Sequence, residues 1–203
     1  MKRRLPLAVE KSLASLKNLR LNVANNYQRE LSSSDVKVAC KKGCSNCCYH
    51  PVLITVLEGL LIHRWLVAHG RWSKQIQTLL ANHAEKTKDL PFELWFLSMT
   101  ACPLLDKEGR CSVYEARPEV CRLTYSLAEP ENCHPHQISE TSMLNKQAVL
   151  STYHQEQGKI AQGQGLSMTL LPLSLAILIA SKVESGEVEL GQIDYTILKE
   201  YAK

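Results

Sequence analysis

Four cysteines fall within nine residues, in the run Cys40-Lys41-Lys42-Gly43-Cys44-Ser45-Asn46-Cys47-Cys48. Free cysteine is usually a small buried hydrophobe, and core packing does not call for such a density of thiols. Two cysteines separated by two residues, as Cys44 and Cys47 are, can clasp one metal from a single turn, because the turn points both sulfurs the same way. Gly43 is available for the tight turn that such a loop needs. Side chains on neighbouring residues diverge, so Cys47 and Cys48 are expected to do different work: one at the centre, the other at a second metal position, in the core or as a reactive thiol.

The remaining cysteines are Cys102, Cys111, Cys121 and Cys133. None of these forms a CxxC pair, so alone they would say little. Joined to the first run they suggest two distant chain segments pinned by a shared metal. Thiolate suits zinc, copper(I) and iron–sulfur centres, and four thiolates around one Zn²⁺ leave a net charge of about −2. The formal charge of +4 over 203 residues can partly balance such a site, and does not indicate a nucleic-acid surface. His134 and His136 follow Cys133 and read as loop histidines. His63, His69 and His83 read as surface or core residues.

Meeting Glu10, Lys11 and Ser12, the basic start Met1-Lys2-Arg3-Arg4 has no continuous apolar run after it, so no signal peptide is expected. The longest apolar stretch, Leu166 to Ala180, is shorter than the roughly 20 residues of a membrane-spanning helix. A cytoplasmic location is therefore expected, where thiols stay reduced and cysteines need a purpose other than cross-linking.

Hydrophobic periodicity predicts a mainly α fold: a small helical domain with two cysteine-rich loops pinned by a metal centre. Residues 1–35 read as an amphipathic helix and linker, with Val9, Leu13, Leu16, Leu19, Val23 and Tyr27 on one face. Residues 36–140 form the cysteine-rich part, and 141–203 a C-terminal helical segment packed on it. Thr55 and Glu58 have capping-box spacing before a helix that runs past Leu66 to Gly70. A helix over Ser73 to Lys86 turns Ile76, Leu79, Leu80 and His83 inward. Leu90 to Leu97 is expected as core or as a lid over the metal, and Pro118 as the first turn of a short helix. Helices are also expected over 141–157, Pro172 to Val183 and Ile193 to Tyr201, with Gly158, Gly163 and Gly165 marking a loop.

Other chemistries leave no trace. There is no G-x-S-x-G elbow, no H-E-x-x-H and no G-x-G-x-x-G, and the glycines at 158–165 lack the Lys-Ser/Thr that completes a phosphate loop. The spacing Cys40, Cys44, Cys47 occurs in radical S-adenosylmethionine enzymes, but the helical pattern argues against their βα barrel.

The run to Cys48, followed by Cys102-Pro103, Gly109-Arg110-Cys111, Val113-Tyr114, Arg117-Pro118 and Cys121-Arg122, resembles the CxxCxxCC family of zinc- or iron-chelating proteins. The resemblance covers about Cys40 to Cys133 and implies that all eight cysteines serve metal binding. A related cysteine-rich region occurs in flagellin lysine methylases, where it implies an iron–sulfur cluster. Arg117 and Arg122 then fit as cations beside the thiolates, and Tyr114 as a packing residue. The leading expectation is a cysteine-ligated [4Fe–4S] cluster, with zinc as the alternative, on Cys44, one of Cys47 and Cys48, Cys111 and Cys121. The protein would be an accessory module that recognises another protein through its helices. The rival reading is an iron–sulfur enzyme of protein modification, with a lysine methylase-like activity.

Overall fold

The computed structural model describes residues 5–33, 38, 40, 43–126, 143–145, 147–164, 166 and 168–190. Its elements are α1 (Leu7–Ser32), β1 (Leu53–Ile54), α2 (Val56–Ala68), α3 (Lys74–Thr87), α4 (Phe92–Leu97), α5 (Glu119–Arg122), β2 (Thr124–Ser126), β3 (Met143–Asn145), α6 (Gln147–Gln162), β4 (Leu171–Pro172) and α7 (Leu173–Ser185). The mainly α expectation holds. Cys133, His134, His136 and the helix expected near Ile193 to Tyr201 lie outside the described residues.

Helices begin where the sequence offers a residue that cannot continue a helix backwards. Pro6, Pro91, Pro118 and Pro172 each stand immediately before one, where a missing N–H leaves no bond unmade. Thr55 and Glu58 form the expected capping box on α2, and Ser73 accepts the Ile76 N–H to start α3.

The core lies where α2 packs along α7. The two approach so closely at Gly59 that a Cβ there would stand 2.5 Å from the Ala176 carbonyl oxygen. Leu60, Ile62, Leu66, Ile177 and Ile179 are buried at this seam. The strands that lead into these helices pair antiparallel, Leu53 opposite Pro172 and Ile54 opposite Leu171. Leu173 adds an N–H to the Val52 carbonyl at 2.9 Å. On the other side of α7 lies α3, where the His83 ring nitrogen meets the Ser174 hydroxyl at 2.9 Å.

Helix α1 lies against α6 and α2. Val9, Leu13, Leu16 and Tyr27 are buried on it as expected, while Leu19 and Val23 are half-buried beside them. Arg64 of α2 ties α1 and α7 together through Glu10 and Glu184.

Several local expectations are corrected. Leu79 is 45 % exposed, because the inner face of α3 is narrower than its apolar sequence and is filled by Leu80, His83 and Ala84. Within α4 Trp95 is buried and Phe96 half-buried, while Phe92, Leu94 and Leu97 are exposed, so the segment is core at one side only. Gly158 sits inside α6 rather than in a loop, with its bare face towards the Met168 sulfur. Residues 143–145 form a strand paired with β2, so the helix begins only at Gln147.

Candidate metal centre

The first cysteine segment is shaped by its backbone. Gly43 adopts φ of 89°, open to glycine without strain. A single 3₁₀ turn over Asn46–Tyr49 follows, with the Cys48 N–H donated to the Ser45 carbonyl at 2.8 Å. Cys47 and Cys48 both lie half-buried in this one turn.

The second segment leaves α4 through Met99, whose positive φ of 54° turns the chain back towards the first. The Cys102 N–H then donates to the Cys48 carbonyl at 2.8 Å, joining the two cysteine segments through their backbones. A small hairpin follows. Ser112 donates its N–H to the Leu104 carbonyl and Asp106 to that of Arg110, each at 2.8 Å, around a turn closed by Gly109 at φ of 71°. Asp106 Oδ1 holds that turn by accepting the N–H groups of Glu108 and Arg110. Cys102 and Cys111 are thereby carried into the two arms, while Leu104 and Val113 anchor the arms in the core. Pro118 starts α5, which brings Cys121 round. Cys40 joins from the far side, its sulfur accepting the Ser126 N–H of β2 at 3.2 Å.

The described cysteines thus share one neighbourhood. The structure leaves Cys40, Cys44, Cys47, Cys48, Cys102, Cys111 and Cys121 as free thiols, all half-buried except the exposed Cys40. Repulsion from Cys47 reaches Cys40, Cys102, Cys111 and Cys121. The Cys48 hydrogen bond, then burial, pushes the Cys47 thiol far up. Burial raises Cys102 to about 12 and also lifts Cys40, Cys111 and Cys121. Thiols so placed are poor free nucleophiles, since the thiolate is the reactive form. Only a strong cationic partner would draw them into it. Among the described residues, no three of Cys, His, Asp and Glu are arranged as a site for a single metal ion. The donor chemistry fits a thiophilic metal: the residues gathered here offer sulfur, and more of it than the four ligands of one structural zinc.

Arg117 is a cation near enough to the sulfurs for its charge to act on them. Its charge lowers Cys40, Cys47, Cys111 and Cys121 against the upward push of burial. Its guanidinium lies 4.1 Å over the Tyr114 ring. Tyr114 itself is 57 % exposed; it packs against Arg117 and not into the core. Arg122 acts on the backbone, donating to the carbonyls of Arg117 and Glu115, and lies 3.8 Å from Glu119.

Three further residues belong to this site. Arg20 of α1 reaches the loop before α5, and Glu119 and Glu58 lie beneath it, both almost fully buried. Arg20 was detectable as a charged residue in the stripe that runs from Leu16 to Tyr27. Glu119 carried no signal beyond its place after Pro118. Glu58 does more than cap α2, since its carboxylate also accepts the Glu119 N–H at 3.3 Å.

The family model that matches this chain is CxxCxxCC, a "putative zinc- or iron-chelating domain", over residues 39–148. No curated protein and no solved structure matches it.

Proposed function

Because the chain belongs to the CxxCxxCC family, we propose that its cysteines hold an iron–sulfur cluster, of the [4Fe–4S] type, as the working part of a protein-binding accessory module. The observation that carries this reading is the joint between Cys48 and Cys102, which sets two thiol-rich segments side by side around Cys47. Cys44, Cys47 or Cys48, Cys111 and Cys121 are the primary ligands in this reading, and Cys40, Cys102 and Cys133 support them. Arg117 lends positive charge to thiolates that burial disfavours. Arg122 holds the loop on which Arg117 stands. Such a centre, when bound, cross-links the two segments and supplies a redox-active metal. No helix is long and apolar enough to cross a membrane among the described residues, and the cytoplasm is the compartment in which these thiols stay reduced.

The test is iron, zinc and acid-labile sulfide analysis on protein purified without oxygen. About four iron and four sulfide per chain, with broad visible absorption, is the expected result. Stoichiometric zinc without sulfide would replace the cluster with a structural zinc site, and a metal-free chain would end the metal reading. Cys44→Ser should empty the centre, whereas Cys133→Ser should lose less metal. Equal loss would overturn the ranking of ligands.

A second reading, an enzyme of protein modification with a methylase-like activity, is favoured by one feature. A cleft of about 480 Å³ lies between α1, α2, the loop at Glu115 and Ala116, and Arg122 of α5, with Trp65 in its wall. That volume suits a small ligand. A change in the centre's spectrum on adding S-adenosylmethionine supports this reading. A centre indifferent to it, whose removal loosens the cysteine segments, supports the accessory role.

A further inference from the structure

Between Cys111 and Cys121 the chain is gripped from two helices, and a third backs one of them. Arg20, with only 10 % of its side chain exposed, donates from α1 to the carbonyls of Ala116, at 3.4 Å, and Arg117, while its Nε lies 3.4 Å from Glu119 Oε2. From α2, Glu58 Oε1 accepts the Glu119 N–H, and from α6 the Tyr153 hydroxyl donates to the same oxygen at 3.1 Å. Gln157 of α6 completes the set by donating to Thr55 Oγ1 at 2.6 Å. Two buried carboxylates and a buried guanidinium are an expensive way to fasten helices. Desolvation offsets much of their attraction, and apolar residues of similar volume often serve stability as well. What apolar residues cannot do is hold two successive carbonyls in a fixed orientation.

Those carbonyls belong to Ala116 and Arg117, and the carboxylate that Arg20 meets begins the helix of Cys121. We propose that Arg20 is a positioning residue of the metal centre. By fixing residues 116–119 from α1 it sets how tightly, and for how long, the cysteines retain their metal. The inference rests on the metal reading above and adds to it the part played by the N-terminal helix.

Arg64 supplies the internal control. It too joins α1 to its neighbours, through Glu10 and Glu184, and neither of these partners belongs to the cysteine segments. Arg20→Met, Arg20→Lys and Arg64→Met would be prepared anaerobically beside the wild-type chain. Iron or zinc release to a colorimetric chelator would be timed at a temperature where circular dichroism shows each variant folded. Outer residues that orient metal ligands typically change affinity by about 10–100-fold. Arg20→Met should therefore release metal at least about tenfold faster and shift the centre's visible spectrum. Arg20→Lys keeps a charge opposite Glu119 but lacks the fork for both carbonyls, and should fall between; it also serves if Arg20→Met does not fold. Arg64→Met should lower the melting temperature yet release metal within about twofold of wild type. Equal release from wild type and the Arg20 variants, or equal acceleration by Arg64→Met, overturns the positioning role while leaving the metal centre intact. A wild-type chain that takes up no metal overturns both readings together.

Discussion

His83 is nearly enclosed between α3 and α7, with the Ser174 hydroxyl on its ring nitrogen and the Trp95 ring edge-on to it. Burial first, and the nearby Lys86 charge second, lower its pKa to about 4. A histidine depressed in the folded state contributes stability that is complete above its unfolded pKa of about 6.5 and lost as pH falls towards the folded value. Stability should thus decline between pH 6.5 and 4, the share from His83 reaching about 3 kcal/mol at the acid end. Denaturant titrations of wild type and His83→Gln at pH 7 and 4.5 check this, and parallel slopes for the two chains would dismiss it. Residue by residue, the sequence is legible where one side chain decides the outcome, as at the Thr55 and Glu58 cap. It is illegible where partners come from far along the chain. Arg20 and Glu119 are charged residues of ordinary surface type, and only folding across a separation of 99 positions buries them together. Tyr114 reads as apolar until Arg117 is seen lying on its face.

At the level of helices and strands, apolar spacing locates α1, α2, α3 and α7 because each buries a regular stripe. It misplaces glycine, since Gly59 and Gly158 look alike in sequence and differ only in what stands opposite. A methyl group at Gly59 would be driven into the Ala176 backbone, which cannot yield as a side-chain tip can. Gly59→Ala should therefore cost about 1–3 kcal/mol, the usual range for overpacking. At Gly158 the added carbon would meet the Met168 sulfur at 3.5 Å, an ordinary contact. Gly158→Ala should stabilise α6 by about 0.5–1 kcal/mol through the helix propensity gained. Thermal melts of the two variants should move in opposite directions; a shift of the same sign in both would undo the comparison. The two-residue strands β1 and β4 were beyond any periodicity argument, for they exist only because α2 and α7 pack and bring their leading residues together.

For the molecule as a whole, the main core and the cysteine segments are joined but distinct. Leu60, Ile62, Leu80, Ile177 and Ile179 pack among α2, α3 and α7, whereas the second segment enters that core mainly by Leu104 and Val113. Removing the metal should loosen residues 99–122 and leave the helices standing. Far-UV circular dichroism should keep most of its amplitude after chelation, while hydrogen exchange speeds at Cys102 and Cys121. Collapse of the whole helical signal would show instead that the metal underwrites the entire fold. The gathering of thiols was foreseeable from their crowding in sequence; their arrangement was not, since it depends on the hairpin around Gly109 and on the grip from α1.

The pairing of Leu53 with Pro172 also fixes an order of events during synthesis. Cys40 to Cys48 leave the ribosome first, but the strand that steadies the chain just beyond them is made more than a hundred residues later. The hairpin around Gly109 is made partway through that interval, but until its end the nascent thiols have no closed core beneath them. Oxidants and stray copper or zinc therefore meet this segment before its finished surroundings exist. For the metal centre proposed above, correct loading would then be a late step, and a cell that makes the protein faster than it supplies the right metal should accumulate mismetallated or oxidised chains.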